Sequence, residues 1–529
     1  MEKYKLAILP LLAGLILLFY SWYTSYPLSL KFPGDNVFNH ISLLYWFSLP
    51  LVLGSLYIIA VFSKSHYVKC FAGIAILLTI YSLSFFYYSL PTSDSQYFRG
   101  LTQYFINTKN LDPSQVNHAY YQWPAFFLLA DIATSVSGLQ LVNYEFLLYV
   151  IIGSLLAITL YVYASKFYPK GALFAVVAFF VSMFYVIDYQ AAPFSLALSL
   201  LFVLFMLETQ KKSTPIVILM IVLLFSISIT HSFVALFFIS YLLIRAIVSK
   251  SKQYAELFLI ASSIYFMTQF TISSYWLGFN VKSIFSLPSE YAAVAGSTLQ
   301  TTSVPFDVIA QTMSRAVTIG VVVVSIVGFI LLLIRRRLRV NDISILVAGA
   351  GYVALGFVLY TLGTRAIPIL IIPVTTGVAY LFETRFRPYL IGIFLILLVL
   401  FAFIPLHASY TSFSTSYVPF QTKDEFDAEN FFLNHYDWSQ YSTILAHFPV
   451  EIYLASNLNL EQTKATISSD PSTLSQYDCV FYTVGLGVQF LSYNYTLQGV
   501  ASEEKLDVVY NNGFSDVAVK GSSFSQGSS

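Results

Sequence analysis

Residues 141–164 read LVNYEFLLYVIIGSLLAITLYVYA, an apolar run long enough to cross the hydrocarbon core of a membrane as a helix, which takes roughly 20 residues. Twelve further apolar runs lie on either side of it. The thirteen candidate spans cover about residues 6–23, 41–62, 70–90, 141–164, 171–187, 192–208, 215–230, 231–249, 254–274, 315–334, 342–362, 366–382 and 388–406. The sequence therefore predicts an α-helical polytopic membrane protein with about 13 transmembrane helices.

The composition of the 529-residue chain favours the same class. Hydrophobic residues make up 57% of it and charged residues 10%, against roughly 25% charged in an average soluble domain. The mean hydropathy is +0.73. These values exclude a soluble enzyme, a disordered scaffold and a nucleic-acid-binding protein, because none of them can hide so much apolar surface from water. The expected environment is the lipid bilayer, and no nucleic acid is expected as a partner.

Charge divides the chain near residue 407. Residues 1–406 carry 23 basic and 13 acidic side chains, whereas residues 407–529 carry 4 basic and 13 acidic ones and no arginine. The acidic part alternates short apolar segments, such as Ser442–Ala446 and Cys479–Tyr482, with polar turns. This pattern predicts a small soluble α/β domain after the membrane part.

The basic residues of the membrane part predict its orientation, because cytoplasmic loops of membrane proteins carry an excess of Lys and Arg. Alternate connections between the candidate spans hold 17 of the 23 basic residues. The opposite connections, although longer, hold only Lys31, Arg99, Lys109, Lys282, Arg315 and Arg365. We therefore expect a multi-pass protein of the cell membrane with a cytoplasmic N-terminus and residues 407–529 outside the cytoplasm.

The first outer loop, residues 91–140, carries an unusual concentration of polar and aromatic residues. Asp94 follows a candidate span directly, and Tyr97 comes three positions later at helical spacing. Tyr120-Tyr121-Gln122-Trp123-Pro124 then opens an apolar stretch that closes at Gly138. Because that stretch is short for a span, we expect an interfacial or re-entrant helix on the outer side.

These motifs resemble the GT-C superfamily, polytopic membrane glycosyltransferases that use sugars linked to polyprenyl phosphate. Within this superfamily the chain resembles mannosyltransferase-like enzymes of archaeal or bacterial type. It rests on Asp94-Ser-Gln-Tyr97 after a span, on the surface helix and the Tyr-Tyr-Gln-Trp-Pro stretch that follow, and on similar motifs further along the chain. Those later motifs are Ala192-Pro193-Phe194-Ser195, Gly363-Thr364-Arg365, Tyr477-Asp478-Cys479-Val480 and Val509-Tyr510-Asn511-Asn512-Gly513.

The resemblance implies a domain organisation and a substrate class. Residues 1–69 form an extra N-terminal transmembrane hairpin, residues 70–406 a GT-C-like core with outer loops 91–140 and 275–314, and residues 407–529 an extracytoplasmic domain. The donor is a polyprenyl (dolichyl) phosphate sugar, and the acceptor is a hydroxyl on a glycan, a lipid or a protein. The chain has no Trp-Trp-Asp motif and no Asp-x-Asp pair in the first loop. A monosaccharide transferase is therefore favoured over an oligosaccharyltransferase.

Two carboxylates are candidates for catalysis. A carboxylate next to low-dielectric surface has a raised pKa, which suits a base that takes the proton of an acceptor hydroxyl. Asp94 has this setting, and the resemblance gives the carboxylate of this loop that role; the alternative is an N-cap for the following helix. Asp188, in a short outer connection, is a second candidate, and its alternative is a solvated turn residue.

Arg365 lies between two apolar spans on the side that is poor in basic residues, and its guanidinium matches phosphate oxygens. The alternative is an arginine that anchors a helix end at the interface. His231, between two outer helix ends, is a candidate ligand of acceptor or phosphate, or else a turn histidine. Arg99 and Lys109 are expected at the level of the lipid headgroups, where they attract an anionic donor.

No cofactor is evident, although a divalent metal is not excluded. The seven histidines show no close ligand pair, and neither a phosphate-binding Gly-rich loop nor a nucleophile elbow occurs. Three other functions stay open: a polymerase or ligase of lipid-linked polysaccharide, a transporter or lipid flippase, and a non-catalytic scaffold. A transporter is less favoured because no internal repeat is found and the candidate ionisable residues gather at one membrane face.

Overall fold

The computed structural model describes most of the first 274 residues and shorter parts of the remainder. The described residues are 6–27, 40–86, 93–109, 122–186, 191–210, 213–274, 320–321, 323–335, 339–358, 375–384, 390–393, 427–428, 430–431, 444–445, 479–482, 506–511 and 516–520. At 93–97, 181–186, 352–358 and the four strands only the backbone is described.

The described residues up to Phe167 contain six α-helices. They are α1 (Ile8–Ser25), α2 (Leu43–Phe62), α3 (His66–Ile80), α4 (Ser93–Thr108), α5 (Ala125–Ser137) and α6 (Leu141–Phe167). A short 3-10 helix, Ser82–Phe86, follows α3. The next helices are α7 (Ala172–Val186), α8 (Pro193–Glu208), α9 (Thr214–Thr230), α10 (Ser232–Ser249), α11 (Lys252–Thr271), α12 (Val323–Ile334) and α13 (Val340–Val358).

Length and apolar composition identify an α-helical membrane protein. Within the described residues, α1, α2, α6 and α10 are long and apolar enough to cross a membrane. The helix α5 has 13 residues and therefore a length of about 20 Å, less than the roughly 30 Å of a hydrocarbon core. It ends at Gly138, whose φ of 68° is the left-handed conformation that glycine adopts at a helix C-terminus. The expected short helix up to Gly138 is thus present.

Successive long helices run in alternate directions, so the bundle has two ends. One end contains the junction of α9 and α10 at His231, together with the starts of α6 and α8 and the last turn of α11. We call it the His231 end. The opposite end contains the last residue of α8, the last turns of α10 and the first turns of α11 and α13. We call it the Glu208 end.

Most basic residues of the described helical part lie at the Glu208 end, which matches the alternation in the sequence. Lys166 there donates to the Thr209 carbonyl, and Arg339 lies over the rings of Phe167 and Tyr168 at 4.7 and 5.1 Å. At the other end, Lys109 pairs with Asp131 at 2.5 Å. The further basic residues at the Glu208 end are Lys64, Lys69, Lys170, Arg245, Lys250, Lys252 and Arg335.

Among the described residues of the C-terminal part, four short strands form one mixed sheet. They are β1 (Ile444–Leu445), β2 (Cys479–Tyr482), β3 (Leu506–Asn511) and β4 (Asp516–Lys520), in the order β1-β2-β4-β3. The pair β1 and β2 is parallel, and the other two pairs are antiparallel. The two apolar segments chosen as strands from the sequence, 442–446 and 479–482, contain β1 and β2.

Candidate functional site

His231 is the only residue between two antiparallel helices, the end residue of α9 and the residue before α10. Its backbone is extended, with φ −162° and ψ 103°, and its N–H donates to the Ile227 carbonyl at 2.8 Å. The side chain is fully buried. A histidine in this place is therefore held by the ends of two helices, as rigid elements hold a binding residue.

Aromatic rings fix the orientation of the His231 imidazole. The Trp123 ring stacks on it, with 5.5 Å between ring centroids and 27° between planes. Phe194, in the first turn of α8, meets it edge-on at 5.1 Å and 88°. Because Trp123 is itself only 1% exposed, the stack is an internal feature of the bundle and not a surface contact.

Polar groups from further segments meet at the same end. The Ser273 hydroxyl, just after α11, donates to the Gln122 carbonyl at 2.8 Å, and Tyr265 and Ser232 are hydrogen-bonded. Two further polar residues of this end are buried. They are Ser195, which follows Phe194 in the sequence, and Gln269, in the last turn of α11. Within the described part of the chain, the Ser195 hydroxyl and the Gln269 amide nitrogen have no hydrogen-bond partner. Such buried groups commonly mark places where water or a ligand binds.

Two buried ionisable residues lie on α4 and α6 at this end. Arg99 is 1% exposed and Glu145, in the first turns of α6, is 5% exposed, and Arg99 acts electrostatically on Glu145. Phe98 packs against Phe126 at 5.9 Å and so connects α4 with α5. The side chain of Arg99 is thus buried in the structure and is not a surface residue of the outer loop.

The structure places the predicted site residues unequally. Asp94 and Tyr97 lie on α4, Asp94 inside its first turn, about 7.5 Å along the helix axis from Arg99. His231, Trp123 and Arg99 lie at the same end of the bundle. Asp188 and Arg365 lie outside the described residues, as do all of loop 275–314 and most of residues 407–529. In the described part of the chain, no group of three or more His, Cys, Asp or Glu side chains is arranged to hold a metal ion.

Glu145 is the main residue of this end that the sequence analysis missed. It is the only acidic residue in the apolar run of α6, and an ionisable residue in such a run is a functional candidate. That signal was available in the sequence. Ser195 and Gln269 gave no comparable signal, because uncharged polar residues are common in membrane helices and only their burial distinguishes them.

A second buried polar cluster lies at the Glu208 end. The Glu208 carboxylate accepts hydrogen bonds from the Tyr254 hydroxyl at 2.5 Å and the Asn341 amide at 3.4 Å, and Arg245 Nε lies 3.7 Å away. Close by, burial and the negative charge of Asp342 raise the pKa of the Tyr168 hydroxyl, so this group stays neutral at pH 7. Buried ionisable residues of the described helices thus lie at both ends of the bundle.

Comparison with known proteins does not assign the chain to a family. No model of a known protein family matches the sequence, and no curated protein matches it either. The fold defines the class, an α-helical membrane protein. The site adds a buried group of polar, charged and aromatic residues at one end of the helices, next to the helix that carries Asp94.

Proposed function

We propose that this protein is a membrane glycosyltransferase that moves a sugar from a polyprenyl (dolichyl) phosphate donor to an acceptor hydroxyl on the outer face of the membrane. The observation that supports it best is the convergence at the His231 end. Three of the residues selected from the sequence, His231, Trp123 and Arg99, lie there, and Asp94 lies on the same helix as Arg99.

The proposed reaction needs a base and a stabilised leaving group. The acceptor oxygen attacks the anomeric carbon, the bond from that carbon to the phosphate oxygen breaks, and polyprenyl phosphate leaves with the bonding electrons. The acceptor proton passes to the carboxylate of Asp94. A carboxylate that acts as general base typically accelerates a reaction by about 10²–10⁴-fold. Asp188 is proposed as a second carboxylate that positions the acceptor.

The leaving phosphate needs positive charge or hydrogen-bond donors. Arg365 is proposed as its bidentate partner, because a guanidinium matches phosphate oxygens and stays charged. His231 supplies ring nitrogens at the same side, held in place by Trp123 and Phe194. Tyr97 and Trp123 are proposed to line the substrate site. Arg99 is proposed to act on the substrate less directly, since its side chain is only 1% exposed.

The proposed topology places this chemistry outside the cytoplasm. The Glu208 end, with most of the basic residues, faces the cytoplasm, and the His231 end faces outward. The multi-pass arrangement of about 13 spans and the extracytoplasmic α/β domain at 407–529 belong to the same proposal. The mixed sheet β1–β4 supports the latter.

The test is a transfer assay with the purified chain. A defined polyprenyl-phosphate monosaccharide is supplied with glycan, lipid and peptide acceptors, and the product is identified by mass spectrometry. Sugar transfer from the polyprenyl-phosphate donor, together with no transfer from a soluble nucleotide sugar, supports the proposal. Transfer of a whole lipid-linked glycan would instead identify a polymerase or ligase. Movement of the donor across liposomes without any product would identify a flippase.

A further inference from the structure

A groove separates α1 from the rest of the bundle at the His231 end. Its volume is about 370 Å³. The walls come from α1, from the 3-10 helix that follows α3, and from the first turns of α6. The lining includes Leu18, Phe19, Trp22, Phe85, Asn143 and Phe146. Four of these six side chains are aromatic, so the groove is apolar with a single amide near the start of α6.

Two contacts fix the position of α1 beside the groove, one in the middle of the helix and one at its end. In the middle of α1, Gly14 lies so close to α2 that an added Cβ would be 2.8 Å from Val52 Cγ2. At its end, the Trp22 indole N–H donates to the Phe85 carbonyl at 2.9 Å. The groove lies beside the hydrogen bond between Trp22 and Phe85, so its shape follows from the packing of α1 on the bundle.

The groove opens toward the membrane. The helix α1 has only 11% of its apolar window buried, the least among the four long apolar helices of the described chain. Phe19 at the rim is 66% exposed. From Leu18 to Tyr26 the lining extends about 12 Å along α1. An elongated apolar space that opens into a bilayer is filled by a hydrocarbon chain.

The helix α6, which forms one wall, also carries Glu145 of the candidate site. Asn143 and Phe146 of α6 face the groove, whereas Tyr144 and Glu145 on the same turn face the interior, where Arg99 acts electrostatically on Glu145. A chain in the groove therefore lies within about one helix diameter, roughly 10 Å, of Glu145, one of the buried ionisable residues of the His231 end.

We propose that this groove binds the isoprenoid chain of the lipid-linked donor. The inference rests on the proposed function, since that function supplies the lipid. No cationic side chain lines the groove among the described residues, which suits a neutral chain and leaves the phosphate to groups at the His231 end. The aromatic faces offer contacts to the methyl branches and double bonds of an isoprenoid that a straight acyl chain lacks.

The test uses the full chain in phosphatidylcholine nanodiscs and a polyprenyl phosphate that carries a diazirine in its chain but no sugar. After irradiation, adducts are expected on residues 18–26 and 143–146. Leu18→Trp and Asn143→Trp fill the groove from opposite walls and should each reduce the labelling about tenfold, because the chain loses its apolar contacts. The matched control is Leu12→Trp, on α1 outside the groove at a position 52% exposed, which should label as the wild type does.

The outcomes separate this inference from the proposed function. Unchanged labelling in both groove variants, or equal labelling by a phospholipid with a diazirine in its acyl chain, overturns the inference. Sugar transfer with adducts only outside the groove overturns the assignment of the groove as the isoprenoid site and supports the proposed transferase function. Adducts in the groove without sugar transfer from any donor overturn the transferase and leave the groove as an isoprenoid site. Each variant is compared only if its melting temperature equals that of the wild type.

Discussion

The Tyr254 hydroxyl donates a hydrogen bond of 2.5 Å to the Glu208 carboxylate and so joins the first turn of α11 to the last residue of α8. Arg245 of α10 lies over the Tyr254 ring at 4.9 Å, and Asn341 of α13 donates to the second carboxylate oxygen. Four helices thus meet in one buried polar cluster. Glu208 is 3% exposed, so the stability of this end depends on its partners.

The first prediction concerns the balance of charge in that cluster. Arg245→Leu leaves the buried Glu208 carboxylate without its cation, and the loss of one member of a buried ion pair costs about 3–5 kcal/mol. We expect a clear fall in the melting temperature of the purified protein. The control is Lys252→Ala, because Lys252 and Glu256 form an exposed pair worth about 0–1 kcal/mol. Equal melting temperatures for the two variants would contradict a stabilising role of Arg245.

The second prediction concerns close packing at a glycine. A Cβ on Gly171, just before α7, would collide with the Ala379 carbonyl oxygen and lie 2.7 Å from Ala379 Cα. Because backbone cannot give way as a flexible side chain does, Gly171→Ala should cost about 1–3 kcal/mol. Gly54, inside α2, has nothing within 4 Å of an added Cβ, and Gly54→Ala should stabilise the helix by about 0.5–1 kcal/mol. In thermal unfolding, Gly171→Ala should lower the melting temperature and Gly54→Ala should raise it.

The positions of the helices could be predicted from the sequence, because an apolar run of sufficient length has few alternatives to a helix in a membrane. The runs 215–230 and 231–249 correspond to α9 and α10 within one residue at each end. Breaks inside a run were less visible. The run 70–90 is interrupted, since α3 ends at Ile80 and a 3-10 helix follows, in a stretch where serines alternate with apolar residues.

The candidate site was predictable only in part. His231 and Trp123 stand out in the sequence by residue type, but their stacking depends on a contact between segments 108 positions apart. For Arg99, the sequence shows a basic residue on a helix; its burial, and its electrostatic effect on Glu145 of another helix, appear only in the fold. Local pattern indicates which residues are unusual, whereas burial depends on partners that only the fold brings together.

The third prediction concerns topology. With Cys70 and Cys479 replaced by alanine, a cysteine in place of Ser475 should react with an impermeant thiol reagent in intact cells. A cysteine in place of Lys252, an exposed residue at the Glu208 end, should react only after lysis. The physical reason is the excess of basic residues at that end. The reverse labelling pattern would place the His231 end in the cytoplasm.

The fourth prediction separates the chemistry of His231 from its packing. His231→Phe keeps a ring between Trp123 and Phe194 but removes both ring nitrogens. If those nitrogens bind substrate, transfer should fall about ten- to hundredfold, which corresponds to a lost charged hydrogen bond of roughly 1.5–3 kcal/mol. The melting temperature should change little.

His66 provides the matched control, because it lies at the opposite end of the bundle and contacts the Tyr161 hydroxyl at 3.1 Å. His66→Phe should leave transfer unchanged. Full activity of His231→Phe would show that His231 serves only the packing of the two helix ends.

The last prediction concerns Asp94 as the catalytic base. Asp94 lies inside the first turn of α4, where its charge also favours the helix N-terminus, a contribution of about 0.3–1 kcal/mol. Asp94→Asn keeps the size of the side chain but removes the basic lone pair. As a base, Asp94 accounts for about 10²–10⁴-fold of the rate, so transfer should fall by that factor while the protein stays folded.

The matched control is Asp131→Asn, on α5 at the same end, where the carboxylate pairs with the exposed Lys109. A surface pair of this kind contributes little, so Asp131→Asn should retain its transfer rate. Donor binding, measured by labelling with the diazirine probe, should be equal in both variants because the described lining of the groove belongs to α1, the 3-10 helix and α6. Turnover of Asp94→Asn close to that of Asp131→Asn would make Asp94 a residue of the helix end alone, and the base would have to be a different carboxylate.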